Sequence, residues 1–136
     1  MSKQKFRLLI VVNWLLVVAY VVVSITTESL LPSELRSYLD AQLNAPITTS
    51  DIMLFAVVFI YFISYIAVSI GVFLFKKWAK TLLLPSIAIA SILLIIGGPY
   101  IETGLASFCS YFLNLIEGII LALVYFSPIR KMFEID

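Results

Sequence analysis

Residues 52–96 read IMLFAVVFIYFISYIAVSIGVFLFKKWAKTLLLPSIAIASILLII, and this stretch decides the fold. Two apolar runs, about 52–75 and 81–96, flank the segment Lys76-Lys77-Trp78-Ala79-Lys80. Uncharged runs of this kind are candidate membrane-crossing helices. The segment between them is too short for anything but an antiparallel hairpin, and its Trp and lysines suit the headgroup level of a bilayer. The second run is the shorter, with Pro85 near its start, and Gly97-Gly98-Pro99 breaks it.

Working outward, a third apolar run covers about 8–25, roughly 27 Å at 1.5 Å per residue. Its basic front is that of a signal peptide, but the run is too long and no small-residue cleavage site follows, so it is expected to stay as an anchor. A fourth run covers about 107–126 after a tight loop from Tyr100 to Ala106, and Ser127-Pro128 ends it. The only sizeable loop runs from Thr26 to Ser50. Within it Leu31, Leu35, Tyr38, Leu39 and Leu43 recur at helical spacing, with Pro32 suited to a first turn and Asn44 with Pro46 as stops. A short amphipathic helix over about 32–43 is expected on the periplasmic side, either a lid on its own protein or a docking surface for a periplasmic partner. Thr49, Ser50 and Asp51 are candidate N-caps for the second span.

Charge orients these spans. Lys3, Lys5 and Arg7 precede the first, Lys76, Lys77 and Lys80 lie between the second and third, and Arg130 and Lys131 follow the fourth. Arg36 stands apart, among Glu28, Glu34, Asp40, Asp51 and Glu102. Lys and Arg accumulate on the cytoplasmic side of membrane proteins. The expected architecture is therefore an all-α membrane protein, a four-transmembrane-helix antiparallel bundle forming a single domain over 1–136, with both termini cytoplasmic.

Composition agrees. The chain has 136 residues, 62% hydrophobic and 12% charged, with a mean hydropathy of +1.12. A soluble domain of this size has too little interior for so much apolar surface, which makes the lipid bilayer the expected partner. A net charge of +1 disfavours nucleic acid. With no His and only Cys109, the usual ligands for a metal or haem and the commonest general base are missing. No phosphate-binding glycine loop is present either. The expectation is no enzyme, no catalytic residues, no metal and no cofactor.

Polar residues within the runs should mark the bundle interior. Ser107, Ser110, Asn114, Glu117, Gly118 and Tyr125 form one stripe on the fourth span, and Asn13, Val17, Tyr20 and Ser24 another on the first. The second carries Tyr61, Ser64, Tyr65, Val68 and Gly71; the third offers Ser86, Ala90 and Gly97. Glu117 lies near the middle of its run, where a charged group costs roughly 2.5–3.5 kcal/mol on insertion scales. The candidate intramembrane site is Glu117 with Asn114, Ser110, Asn13, Tyr20, Tyr61 and Tyr65. Glu117 is expected to donate a hydrogen bond, with Tyr61, Tyr65, Tyr20 and Asn114 as candidate acceptors. Three roles compete for that acid: a hydrogen-bonded tie between helices, a contact with another subunit, or a proton or cation site. Lys76, Lys77, Trp78 and Lys80 are first topological signals, and secondarily a candidate contact for anionic headgroups or a cytoplasmic partner.

The phrases Leu31-Pro32-Ser33-Glu34-Leu35-Arg36-Ser37-Tyr38-Leu39, Phe75-Lys76-Lys77-Trp78-Ala79-Lys80 and Tyr125-Phe126-Ser127-Pro128-Ile129 resemble those of small bacterial four-span inner-membrane proteins. That resemblance implies a bacterial inner membrane and carries no activity with it. In size and span count the chain is also similar to small multidrug transporters. Their essential glutamate lies in the first helix, which here has Asn13 and no acid. Two functions follow as expectations. The first is a non-enzymatic protein working through helix–helix contacts, as an accessory subunit, regulator or immunity-type protein, with another membrane protein or its own copies as partner. The second is a small oligomeric transporter or channel built on Glu117.

Overall fold

The structure, a computed structural model, describes residues 1–97 and 101–134. The Gly98-Pro99 part of the expected breaker and Tyr100 at the head of the loop lie outside the described residues. Five α-helices follow one another: α1 (Lys3–Thr27), α2 (Ser33–Leu43), α3 (Thr49–Phe73), α4 (Lys77–Ile96) and α5 (Gly104–Phe126). Short 3-10 turns cover Glu28–Leu30 and Pro128–Phe133. The four long helices, α1, α3, α4 and α5, are each long and apolar enough to cross a membrane.

Local chemistry sets their ends. Ser2 Oγ accepts from the Lys5 amide at 3.3 Å and opens α1. For α3 the cap is Thr48, one residue before the three candidates read from the sequence. Its hydroxyl accepts from the Asp51 amide at 3.3 Å while Asp51 Oδ2 accepts from the Thr48 amide at 2.8 Å. This reciprocal capping box meets two of the four orphan donors of the first turn. Thr103 Oγ1 caps α5 with a single bond, accepting from the Ala106 amide at 3.4 Å.

The turn between α3 and α4 is Leu74-Phe75-Lys76, not the five residues 76–80 that the charges suggested, and Lys77 already belongs to α4. The Lys76 amide bonds the Gly71 carbonyl at 2.8 Å and the Phe75 amide bonds the Val72 carbonyl at 3.1 Å. This is a Schellman end, which ordinarily places glycine at its left-handed residue. Here that residue is Phe75, with φ 59°. Packing explains the departure. The Phe75 ring lies 5.5 Å from that of Phe6 and 5.3 Å from that of Phe133. A left-handed residue costs about 1–2 kcal/mol, less than the loss of a core aromatic.

Those three rings head a core at the basic end of the molecule. The beginnings of α1 and α4 meet the ends of α3 and α5 there, around Ile10, Val72, Ala79, Leu83, Val124 and Ile129. The tail after α5, too short to fold alone on sequence grounds, folds onto this core instead: Ile129 and Phe133 are fully buried. Arg7 adds a second tie. Its Nε donates to the Phe73 carbonyl at 3.3 Å, and its guanidinium lies 5.1 Å from the Phe73 ring centroid. It thereby satisfies a carbonyl left orphaned at the end of α3, where a cation also suits the helix dipole.

Gly71 lets α3 and α4 close. A Cβ built there would stand 2.5 Å from Ala79 Cβ and 2.8 Å from the Trp78 ring. The lengthwise partnerships are α1 with α5 and α3 with α4, while α1–α3 and α4–α5 touch more briefly. All four neighbouring pairs run antiparallel. Away from the basic end, α3 has no buried residue before Val68 and α4 none after Ser86. At the opposite end α1 and α5 are clasped again, by Thr27 Oγ1 and Thr103 Oγ1 at 2.6 Å with Leu31 and Ala106 buried beside them.

No residue of α2 is buried. Its Leu39, Gln42 and Leu43 instead edge an open recess of about 440 Å³ shared with Tyr20, Ser24 and Glu102. Arg36, the one cation at that end, donates to the Ser29 and Leu31 carbonyls and so ties α2 to the turn before it.

Candidate functional site

The polar residues of the spans separate into three groups. The first is central. The Tyr65 hydroxyl of α3 donates to Glu117 Oε1 of α5, and Asn13 of α1 lines the same small cavity with both. Two residues not singled out beforehand complete it. Ser69, one turn after Tyr65, lines the cavity, and its hydroxyl accepts from Trp14 Nε1 at 2.7 Å. The signal was legible in principle, because an indole N–H inside a protein needs an acceptor. Trp14 also packs on Phe73, ring centroids 5.5 Å apart. The polar bonds Trp14–Ser69 and Tyr65–Glu117 therefore join the α1–α5 pair to the α3–α4 pair at mid-length. Such interhelical bonds contribute about 0.6 kcal/mol on average in a membrane, with a maximum near 1.7.

The Tyr61 ring lies tilted against that of Tyr65, centroids 6.1 Å apart and planes at 35°, and among the described residues it makes no bond to Glu117. Tyr20 belongs to the recess under α2 rather than to the centre. These two therefore flank the Glu117 site without joining it.

The second group corrects the stripe read on α5. Asn114 and Gly118 are exposed, not turned to the bundle interior. The buried line of α5 runs through Ala106, Ile120 and Val124, with Glu117 half-buried at its margin. Ser107, Ser110 and Asn114 lie on the flank and edge an open recess of about 490 Å³ with Glu102 and Tyr111. A Cβ placed on Gly118 would meet nothing within 4 Å. On α3, Ser64 is likewise exposed and bonds only its own helix, the Ile60 carbonyl at 2.9 Å. The physical reason is angular: three- and four-residue steps drift around a helix of 3.6 residues per turn, so a stripe can leave the packed face.

The third group is the basic hairpin. Lys76 and Lys77 are exposed. Lys80 Nζ lies 3.5 Å from Glu134 Oε1, and Trp78 covers the close approach at Gly71. The Lys80 carbonyl accepts from the Tyr125 hydroxyl, so α5 is bonded to the first turn of α4. None of these residues lines the cavity beside Glu117.

Chemically, the centre offers one carboxyl, one phenol, one amide and one hydroxyl. Among the described residues no three His, Cys, Asp or Glu side chains gather as a metal site. Glu117 has a donor in Tyr65, a bond that ties α5 to α3. Comparison with known protein families, curated proteins and solved structures finds no match to this chain.

Proposed function

We propose that this chain is a non-enzymatic multi-pass protein of a bacterial inner membrane that works by lateral helix–helix association with another membrane protein. Accessory subunit, regulator and immunity-type protein are the roles that suit such a part. The charge bias supports cytoplasmic termini, with α2 on the far side. The observation that carries the reading is the α5 flank. Ser110, Asn114 and Gly118 follow one another at four-residue steps, an amide between two small residues, and both kinds of residue occur where membrane helices pack. Among the described residues, Asn114 is exposed and nothing stands within 4 Å of a Cβ built on Gly118. An amide facing hydrocarbon is costly, and a partner helix would both pair it and use the gap at Gly118.

The test is light scattering of the full chain in mild detergent, with mass spectrometry of what copurifies. A stoichiometric partner or homo-oligomer is expected, lost in Asn114→Leu while the melting temperature holds. A lone monomer in both proteins would refute the proposal.

A conduit using Glu117 is the second reading, favoured by the polar recess along Ser107, Ser110 and Asn114. Against it stands the basic end, where a buried cluster including Ile10, Val72, Leu83 and Val124 is hydrophobic and the tail's Phe133 is fully buried. Proteoliposome flux abolished by Glu117→Gln would revive it.

A further inference from the structure

The cavity at the centre has a size and a lining that together specify a guest. Its volume is about 20 Å³. A single water needs on the order of 10–15 Å³, so the space admits a water-sized guest. Apolar walls come from Ile10, Leu83 and Ile120 and their neighbours, and polar ones from Asn13, Tyr65, Ser69 and Glu117. The Asn13 side chain is almost wholly buried, with the residue 3% exposed, and its Oδ1 finds no hydrogen-bond partner among the described residues. A buried acceptor left unpaired is strongly disfavoured.

Each polar wall atom has a defined need. Asn13 Oδ1 requires a donor. Glu117 has lone pairs beyond the one used by Tyr65. Ser69 Oγ already accepts from Trp14, which leaves its proton to give. The guest must therefore donate twice and accept once in a water-sized space. An apolar guest meets none of these needs. A bare alkali ion cannot accept from Ser69.

We propose that the cavity is a binding site for one water molecule, which donates to Asn13 Oδ1 and to the Glu117 carboxyl and accepts from the Ser69 hydroxyl. That water joins α1, α3 and α5 at one point and completes the hydrogen bonding of the only wholly buried amide in the spans among the described residues. Because the core toward the basic end is apolar, it is a fixed link and not a step in a path.

Infrared difference spectra of the full chain in lipid nanodiscs, in H₂¹⁶O and H₂¹⁸O, read this directly. A narrow isotope-sensitive O–H stretching band is expected, abolished in Asn13→Leu and shifted in Ser69→Ala. If Asn13→Leu fails to fold, Ser69→Ala alone decides, since an unchanged band there overturns the proposal. Absence of any isotope-sensitive band in the wild-type protein overturns it as well. So does a melting temperature raised by Na⁺ or NH₄⁺ over choline at equal ionic strength and abolished by Asn13→Leu, which would assign the cavity to a cation.

Discussion

Gly71→Ala isolates the contact that closes the α3–α4 hairpin. In an exposed helix this change gains about 1 kcal/mol, because glycine is the poorer helix former by that amount. Here the new methyl would stand 2.5 Å from Ala79 Cβ and 2.8 Å from Trp78 Cη2 and Cζ2. Carbon atoms rest at about 3.5–4.0 Å, so relief requires a separation of about 1 Å. The half-exposed Trp78 ring can swing away, but Ala79 Cβ is fixed to its backbone and fully buried. Overpacking costs about 1–3 kcal/mol, and a clash with a rigid neighbour belongs at the upper end of that range. Subtracting the propensity gain leaves a net destabilisation of about 1–2 kcal/mol. The double variant Gly71→Ala/Ala79→Gly removes the rigid clash, so it should lose less stability than the two single changes summed, by roughly 1 kcal/mol or more. Reversible unfolding in mixed micelles, followed by tryptophan fluorescence, measures all three. A Gly71→Ala protein more stable than the parent, or strict additivity of the pair, would refute the close approach.

Phe75 gives a second check on the same turn: Phe75→Ala should destabilise by about 3–5 kcal/mol, and Phe75→Gly by about 1 kcal/mol less, since glycine alone relieves the left-handed backbone. The reverse order in the same unfolding assay would deny the Schellman geometry. Tyr65→Phe should cost about 0.6–1.7 kcal/mol, and in a double-mutant cycle with Glu117→Leu the two losses should overlap rather than add. Full additivity there would mean that the Tyr65–Glu117 bond does not exist in the folded protein.

Most of the architecture was legible because long uncharged runs have few alternatives once they are too apolar for water. The α3–α4 hairpin, the existence of α2 and the four long helices follow from run length, breaker residues and 3.6-residue spacing. What escaped the sequence depends on close tertiary contact. The turn slipped from 76–80 to 74–76 because a phenylalanine took a position where glycine is the usual marker, and only its two ring neighbours make that affordable. The folding-back of Pro128–Phe133 escaped for the same reason, since six residues have no fold of their own without the core they cover. At the centre, residue type pointed to Glu117, Tyr65 and Asn13. Their meeting, and the part of Ser69 and Trp14, depended on helix rotation that spacing alone does not fix. Rotation also explains Asn114 and Gly118, which belong to the same numerical stripe as Glu117 yet face outward.

The claim of lateral association rests on that outward flank, and photo-crosslinking in intact membranes tests it most directly. A photoreactive residue at position 114 is compared with one at Leu115, a neighbour at the same depth that is 58% exposed. The expected result is a discrete protein adduct from 114 and lipid adducts alone from 115. Lipid adducts alone from both positions would contradict the account.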